Sequence, residues 1–480
     1  MTVPPDNAPT IVWFRRDLRL ADHPALAAAA SEGPVIPVFV LDPETEALGA
    51  AHRWRLGRAL ERLEAGLHRH HARLILRRGE ALETLRLLIA ETGARGVVWS
   101  RLYDGASRER DARVKAALKA DGIEARSFNG SLLFEPWTVE TGSGGFYKVY
   151  TPYWRAVEGR EPPGPVEAPS LRLPEAWPAS LTRGDLALGA DMDRGGPVVA
   201  RYVEAGEDAA RERLEAFLAE DVRRYPEARD RLDLDATSGL SDHLAVGEIS
   251  PRQIWAAAAP MRSGPKGDAV TGFLQEIVWR EFAYHLLHHT PEIETENWRS
   301  EWDAFPWRGD NADAERWRRG RTGQPVVDAA MRELYVTGTM HNRMRMLTAS
   351  YLTKHLMTHW RVGEAWFRET LVDWDPASNS MGWQWAAGSG PDASPFFRIF
   401  NPETQGKKFD PEGRYRARWV AELNDDPGAD ALAFFEAIPR SWGMTPSDPY
   451  PAPMVDLKRG RERALEAYSD LKSRKDGASA

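Results

Sequence analysis

The stretch DWDPASNSMGWQW, Asp373–Trp385, decides how the rest of the chain is interpreted. It combines two carboxylates and an Asn with three Trp, and its Pro and Gly predict a sharp backbone turn inside a helical region. Indole rings favour burial, whereas Asp373 and Asp375 can be buried only where a partner group compensates their charge. A polar ligand held against aromatic walls would satisfy both requirements. A Trp-rich helix corner with surface acids is the alternative.

Tryptophan is unusually concentrated around this stretch. Of 19 Trp in the chain, ten lie between Trp279 and Trp385. Indoles anchor cores and interfaces, and they also stack on flat ligands. Such a concentration in one region indicates more than packing.

Length and composition limit the class of protein. A chain of 480 residues exceeds what one hydrophobic core usually supports, which predicts two domains. The absence of Cys excludes disulfides and thiolate metal ligands. The sequence contains no apolar run of membrane-spanning length and no leader pattern, so we expect a cytoplasmic protein without a membrane segment. A net charge of −8 opposes coating by nucleic acid but permits a local basic patch.

The N-terminal part alternates short apolar runs with amphipathic segments. Such alternation predicts a doubly wound parallel α/β domain over residues 1–130. No Gly-x-Gly-x-x-Gly follows the first run, so the usual dinucleotide fingerprint is missing. The predicted strands are Thr10–Phe14, Val35–Leu41, Arg73–Leu76, Gly96–Ser100 and Ile123–Phe128.

Residues 131–198 are predicted to form an interdomain linker, because Pro and Gly accumulate there and periodicity is weak. Strand signals almost vanish afterwards, which predicts an all-α domain over residues 199–472. Its predicted helices include Val199–Phe217, Pro251–Ala258, Ala269–His288, Val326–Thr337, Asn342–Trp360 and Gly363–Val372.

Several groups of residues in this half are suited to binding. The turn Thr237–Ser241 offers hydroxyls and backbone amides to phosphate oxygens, although a plain helix cap is the alternative. Glu276, Trp279 and Arg280 share one helix face, either as an ion pair beside a core indole or as a binding site. Basic side chains mixed with aromatic ones are typical of contacts to an exposed base and its phosphates, with a solvated surface as the alternative: Arg229, Arg398, Lys407, Lys408, Arg414, Arg416 and Arg418, with Phe396, Phe397, Phe400 and Trp419.

These residues together resemble the cryptochrome/photolyase family, and specifically its class I-type cyclobutane pyrimidine dimer photolyases. The resemblance covers nearly the whole chain and is carried by matched strings: Trp13–Arg19, Tyr147–Pro152, Trp279–Phe282, Met340–Arg343, Gly382–Trp385 and Phe400–Pro402. It implies an N-terminal α/β domain and a C-terminal all-α domain that binds FAD folded into a U.

The resemblance also implies roles for individual residues. Arg345 would pair with Asp373, and Asn379 would face the flavin N5 atom. The implied cofactor contacts are Tyr225, Thr237, Ser238, Gly239, Leu240, Ser241, Arg280, Arg345, Asp373, Trp374, Asp375 and Asn379. The implied DNA contacts are Arg229, Glu276, Trp279, Arg280, Asn342, Arg343, Met346, Trp385, Gln405 and Lys408. The implied catalytic set is Glu276, Asn342 and Asn379, with Trp383, Trp360 and Trp307 as an electron-hopping chain.

The activity implied by the resemblance is light-driven DNA repair. Reduced FAD would donate an electron to a pyrimidine dimer that has been flipped out of the DNA, and the electron would return after the dimer splits. A cryptochrome-type photoreceptor that binds FAD without repair is the alternative. The Asn-Glu pair that holds a folate antenna in some relatives aligns with Ala106-Ser107, so the second chromophore would be a deazaflavin, a folate bound otherwise, or absent. We expect a monomer without metal whose partner is damaged DNA.

Overall fold

A computed structural model describes residues 7–393 and 395–478 of the chain. Its N-terminal part contains one sheet of five parallel strands in the order β3-β2-β1-β4-β5. The prediction of a doubly wound parallel sheet is therefore confirmed. The third and fifth strands begin one or two residues later than the sequence predicts. The strands are β1 Thr10–Phe14, β2 Val35–Leu41, β3 Ile75–Arg78, β4 Gly96–Ser100 and β5 Glu124–Phe128.

The described residues beyond β5 contain helices and no further strand of the sheet, as predicted for an all-α second half. No helix in the part of the chain covered by the structure is long and apolar enough to cross a membrane. The α-helices are α1 Pro24–Glu32, α2 Pro43–Glu46, α3 Ala50–Arg69, α4 Ala81–Thr92, α5 Gly105–Ala120, α6 Tyr150–Val157, α7 Arg183–Leu186, α8 Gly195–Val199, α9 Glu207–Ala216, α10 Tyr225–Ala228, α11 Ser241–Val246, α12 Pro251–Ala258, α13 Gly267–His289, α14 Ala312–Arg318, α15 Pro325–Thr337, α16 Asn342–Ser350, α17 Trp360–Thr370, α18 Pro376–Ala387, α19 Pro402–Phe409, α20 Arg414–Trp419, α21 Ala429–Ala437 and α22 Leu457–Ala478.

The topological switch point of the sheet lies between β1 and β4, where doubly wound proteins usually bind ligands. Here the rings of Trp13 and Trp99 meet edge to face, with centroids 5.9 Å apart. The guanidinium groups of Arg15 and Arg110 lie 4.3 and 4.9 Å from the Trp13 ring centroid. Because these four side chains are almost fully buried, they fill the crevice with protein atoms.

The stretch around Asp375 turns in a different way from the one the sequence predicts. Gly382 does not interrupt the chain but lies inside α18, because a single Gly lowers helix stability by only about 1 kcal/mol and does not break a helix. The turn occurs before Pro376, where the Asp375 carboxylate accepts from the Ser378 amide and caps α18.

The predicted helix Asn342–Trp360 is also divided. It continues from α16 as a π-turn, Tyr351–His355, and Met357 then adopts a positive φ of 53°. The His359 imidazole accepts from the Arg361 amide and starts α17 anew. The predicted helix Val199–Phe217 is likewise split between α8 and α9, with Gly206 at a φ of 113° before α9.

Buried ion pairs join the α/β part to the helical part. Arg55 on α3 is fully buried and donates to Glu248 at 2.9 Å and to Asp242 at 3.0 Å. Arg252 of α12 pairs with Asp22 at 2.9 Å. Removing one partner from such a buried pair leaves an uncompensated charge, so these contacts fix how the two parts meet.

The π-turn contains a buried cation, Lys354, which is 1% exposed. Its ammonium donates to the Arg398 carbonyl at 3.0 Å and lies 5.3 Å from the Phe396 ring. Burial, reinforced by the charge of Arg398, lowers the pKa of Lys354 to about 7.

The Lys354 pKa predicts how stability depends on pH. A Lys whose pKa is lower in the folded than in the unfolded state destabilises the fold fully below the folded pKa, and this penalty disappears as pH rises towards the unfolded value. We therefore expect Lys354→Met to have a higher free energy of unfolding than the wild type. The difference should be largest at pH 6 and should shrink between pH 7 and pH 10. Urea denaturation measures it. The exposed Lys407→Met serves as control, and a difference that stays constant with pH at Lys354 would contradict the assignment.

Candidate functional site

The loop before α18 buries a carboxylate that the protein satisfies on one side only. Arg345 of α16 donates to Asp373 Oδ2 at 2.7 Å, while its Nε donates to the Met340 carbonyl at 2.8 Å. The Asp373 side chain is 2% exposed, and its Oδ1 is buried without a hydrogen-bond partner. The predicted pairing of Arg345 with Asp373 is therefore present. An unpaired carboxylate oxygen of this kind is suited to a ligand that donates a hydrogen bond.

Asp375 is held by a residue that sequence analysis missed. The phenol of Tyr284 donates to Asp375 Oδ2 at 2.5 Å, and the Arg280 guanidinium lies 4.8 Å from the centroid of the Tyr284 ring. The carboxylate and burial both raise the pKa of Tyr284 above its ordinary value. Tyr284 lies one helical turn after Arg280 on α13, so the i, i+4 spacing was the signal that could have identified it.

Asn379 is buried on the first turns of α18. Its side-chain amide donates to Glu364 Oε1 of α17 at 2.9 Å. Burial raises the pKa of Glu364. Glu364, which the sequence analysis did not identify, therefore fixes which way the Asn379 amide points.

The face of α13 that carries Glu276 and Trp279 opens to solvent. Glu276 accepts from Arg229 at 2.7 Å, and both side chains remain about a third exposed, at 33% and 28%. Trp279 stacks on Tyr150 with ring centroids 3.7 Å apart and an interplanar angle of 8°. Of the two alternatives for this face, the intrahelical pair between Glu276 and Arg280 does not form, since Arg280 instead donates to the Ser131 carbonyl at 2.8 Å.

The turn Thr237–Ser241 leads directly into α11. Leu240 is the N-cap residue of that helix, and no side chain makes a cap hydrogen bond to it. Gly239 has a φ of 59°, and a Cβ there would collide with the side chain of Arg213, which donates to the Ser238 carbonyl at 3.0 Å. Tyr225 packs nearby against Phe217, edge to face with centroids 5.6 Å apart.

Two of the three Trp assigned to electron hopping are buried, and the third reaches the surface. Trp383 and Trp360 are 2% and 0% exposed, and Trp307 is partly exposed. The Trp383 ring lies so close to Gly363, one turn after Trp360 on α17, that a Cβ at position 363 would overlap it. The His359 ring contacts both other indoles, with its centroid 5.6 Å from that of Trp360 and 5.3 Å from that of Trp307.

Arg229 and Arg343 are the predicted DNA contacts that the structure brings together, through the acids Glu276 and Asp230, and we call the partly exposed surface around these four side chains the opening. Arg343 of α16 pairs with Asp230, and its guanidinium lies 4.8 Å from the Phe409 ring. Asn342 and Lys408 are exposed. Met346, Trp385 and Gln405 are half-buried. Trp374, which the resemblance assigns to the cofactor, is buried beside His52, with ring centroids 5.9 Å apart.

The arrangement defines a protein with an α/β part and a helical part, and both parts match known family models. Residues 273–470 match the family model described as the FAD binding domain of DNA photolyase, and residues 10–170 match the model described as DNA photolyase. The chain belongs to the DNA photolyase family, which includes the cryptochromes.

Individual relatives match over nearly the whole chain. A deoxyribodipyrimidine photo-lyase of Agrobacterium fabrum is 47% identical, covering 97% of this chain and 98% of that protein. Cryptochrome-1 of Arabidopsis thaliana is 35% identical over 96% of this chain and 70% of that protein. A bacterial class III photolyase from Agrobacterium tumefaciens superimposes with a TM-score of 0.89 at 46% identity, covering 98% and 99% of the two chains. An archaeal photolyase from Sulfolobus tokodaii with two FAD molecules gives 0.78 at 28% identity, covering 96% and 100%.

The residues present fit FAD. The free Asp373 Oδ1 and the Asn379 amide provide hydrogen-bonding groups at the start of α18. Trp383 and Trp374 are buried with ring nitrogens that have no partner among the described residues. Indole surfaces together with a few unpaired polar atoms are the kind of groups that bind a flat cofactor.

The ion pair of Asp373 with Arg345 predicts the effect of losing Arg345. Arg345→Met strands a buried carboxylate, so we expect a loss of about 1–3 kcal/mol in the free energy of unfolding together with reduced FAD content. Urea denaturation and the flavin absorbance per protein measure these. The double variant Arg345→Met/Asp373→Asn removes the stranded charge and should recover part of the stability. No recovery would show that the cost arises from packing instead.

Proposed function

We propose that this protein is a light-driven deoxyribodipyrimidine photo-lyase that splits cyclobutane pyrimidine dimers in DNA. The observation that carries the proposal is the half-satisfied Asp373, whose buried Oδ1 has no partner among the described residues, in a chain whose residues 273–470 match the FAD binding domain of DNA photolyase. The relative of 47% identity that carries the name of this activity adds support, because it matches along nearly the full length.

In the proposed mechanism FAD, when bound, supplies a light-driven electron to the dimer and takes it back after the bonds break. The chain's own residues would bind the cofactor and the dimer, orient them towards each other, and exclude water. Asp373 and Asp375 would hold the cofactor, with Arg345 and Tyr284 fixing the two carboxylates. Asn379, oriented by Glu364, would present its amide to the flavin ring. Trp279, braced by Tyr150, would pack on the flipped bases, and Glu276 would hydrogen-bond one of them.

Fixed donors next to the dimer would stabilise the negative charge that it carries while the cyclobutane bonds break. Asn342 and Met346 would line the pocket, and Trp385 would pack against the bases. Arg229, Arg343, Gln405 and Lys408 would lie along the strand. These assignments are the ones that the family resemblance implies, and they fall on side chains that are exposed or half-buried.

The finer assignment to class I is not supported, because the structure that matches with a TM-score of 0.89 at 46% identity is that of a class III photolyase. We propose instead that the protein is a class III enzyme. The dimer-repair activity of the proposal does not depend on this subdivision.

A cryptochrome-type photoreceptor is the second candidate, because Cryptochrome-1 matches 96% of this chain at 35% identity. The two functions separate in one experiment. The purified protein is reduced, mixed with an oligonucleotide that carries one dimer, and illuminated with near-UV or blue light. Chromatographic loss of the dimer supports the photolyase, whereas binding of the oligonucleotide without loss supports the photoreceptor.

Within this proposal, Trp383, Trp360 and Trp307 carry electrons from the surface to oxidised flavin. We therefore expect Trp360→Phe and Trp307→Phe to slow photoreduction strongly, because Phe is much harder to oxidise, while protein that was reduced chemically repairs at the wild-type rate. Flavin absorbance under illumination measures the first rate and dimer loss the second. Trp442→Phe, at a ring that packs on Tyr335, is the control. Equal loss of both rates would contradict the role.

We further propose that a second chromophore binds in a cavity of about 280 Å³ beside β4 and α5. Trp99 and Trp137 supply indole surfaces, and Arg101 and Lys115 supply positive charge. The Trp99 ring nitrogen is buried without a partner among the described residues and would donate to the ligand. Ala106 and Ser107, which stand where some relatives have the Asn-Glu pair that holds a folate, lie on the first turn of the same helix. The second chromophore would therefore bind in this cavity and not at the folate position of those relatives.

The cavity predicts the consequence of removing its exposed indole. Trp137 is 42% exposed, so Trp137→Ala should leave the fold intact, eliminate the second chromophore and spare FAD. Extraction and chromatography of the bound chromophores measure both. Leu87→Ala, at an exposed site on α4, is the control. Equal retention of both chromophores by the two variants would contradict the site.

We propose that the protein acts as a cytoplasmic monomer on damaged DNA, without a metal ion. The absence of Cys fits a reducing compartment such as the cytoplasm. Damaged DNA is the partner because it is the substrate of the proposed activity. Light scattering of the purified protein with and without DNA tests the oligomeric state.

A further inference from the structure

Two arginines at the opening of the pocket are already bound to carboxylates. Arg229 donates to Glu276 Oε1 at 2.7 Å, and Arg343 pairs with Asp230. Because Arg229 and Asp230 are neighbours in sequence, the four side chains form a row of alternating charge: Glu276, Arg229, Asp230 and Arg343. We call this row the charge row.

The cationic members of the charge row are anchored more firmly than the anionic ones. The Arg229 guanidinium lies 5.0 Å from the Tyr225 ring, and the Arg343 guanidinium lies 4.8 Å from the Phe409 ring. Both rings belong to residues that are only 7% exposed. Ring stacking holds a guanidinium in place while leaving its N–H donors free to exchange partners.

Carboxylate and phosphate oxygens bind the same face of a guanidinium, often through two parallel hydrogen bonds. Glu276 and Asp230 therefore occupy the positions where backbone phosphates would bind Arg229 and Arg343. A DNA strand must displace these carboxylates before its phosphates can reach either arginine. Any strand that binds here loses two existing ion pairs.

We propose that Asp230 and Glu276 act as phosphate surrogates that weaken the binding of undamaged DNA. The inference rests on the proposed function, since it assumes that DNA binds at this opening. Asp230 weakens the binding of every strand, because its displacement is not compensated. Glu276 discriminates between strands, because a flipped pyrimidine pair offers the released carboxyl group a new hydrogen-bond partner and an undamaged strand does not.

The proposal is tested by dark binding of lesion-free duplex to the FAD-loaded protein, measured by fluorescence anisotropy across a salt series. We expect Glu276→Gln and Asp230→Asn each to tighten binding about two- to fivefold at low salt, the range set by loss of one partly exposed ion pair. The slope of log K against log salt should stay near the wild-type value, because the wild type neutralises the same phosphates once its carboxylates are displaced.

Matched backgrounds separate this effect from a general loss of negative charge. The gain from Glu276→Gln should vanish when Arg229 is also changed to Gln, and the gain from Asp230→Asn should vanish with Arg343→Gln. Glu227→Gln, at an exposed acid on α10, should have the same small effect in every background. The proposal is overturned if both single variants keep the wild-type affinity. It is also overturned if the gain is equally large when Arg229→Gln or Arg343→Gln is present.

Lesion-containing duplex distinguishes the two surrogates. Asp230→Asn should tighten its binding as much as that of lesion-free duplex, leaving the ratio of the two affinities unchanged. Glu276→Gln should lower that ratio, and a ratio that stays at the wild-type value overturns the role of Glu276. Failure of the wild type to split dimers under light would instead refute the proposed photolyase activity, while leaving these dark measurements interpretable.

Discussion

The charge of two carboxylates, one buried and one nearly so, is the constraint on which the functional half of the structure depends. Asp373 and Asp375 lie where α17 gives way to α18, and neither can remain there without a partner. Arg345 reaches one from α16 and Tyr284 reaches the other from α13. These contacts tie two helices, α13 and α16, to the loop before α18, and they leave Asp373 Oδ1 for a ligand. The same interactions therefore organise the helices and prepare the pocket.

The arginines of the protein serve two separate purposes. Those at the domain junction, Arg55 and Arg252, are buried with their acids, and they fix the contact between the two parts. Those at the opening, Arg229 and Arg343, are partly exposed and rest on aromatic rings. Burial makes the first kind permanent, because breaking a buried pair leaves an unsolvated charge. Exposure makes the second kind exchangeable, since water and phosphate compete with the carboxylate at small cost.

Local sequence signals identified elements whose stabilising contacts are local. The strands of the sheet and the helix α12 were predicted closely, because alternation and capping act over a few residues. The division of Asn342–Trp360 was not predictable in this way. The π-turn is held by Lys354 and His355, which bond to carbonyls of Arg398 and Phe400 more than forty residues away. Gly382 likewise signalled a break, yet α18 continues because its neighbours Trp383 and Gln384 are buried in the surrounding helices.

The sequence by itself determined that a doubly wound α/β part precedes a helical part, and that acids and indoles gather near residue 375. Periodicity and composition carry this information because each residue type has its own preference for burial and backbone geometry. Tertiary structure alone decided which groups meet. It placed Tyr284 on Asp375, Glu364 on Asn379 and Glu276 on Arg229. Partners from different helices are selected by the packing of whole elements, and no spacing along the chain specifies that packing.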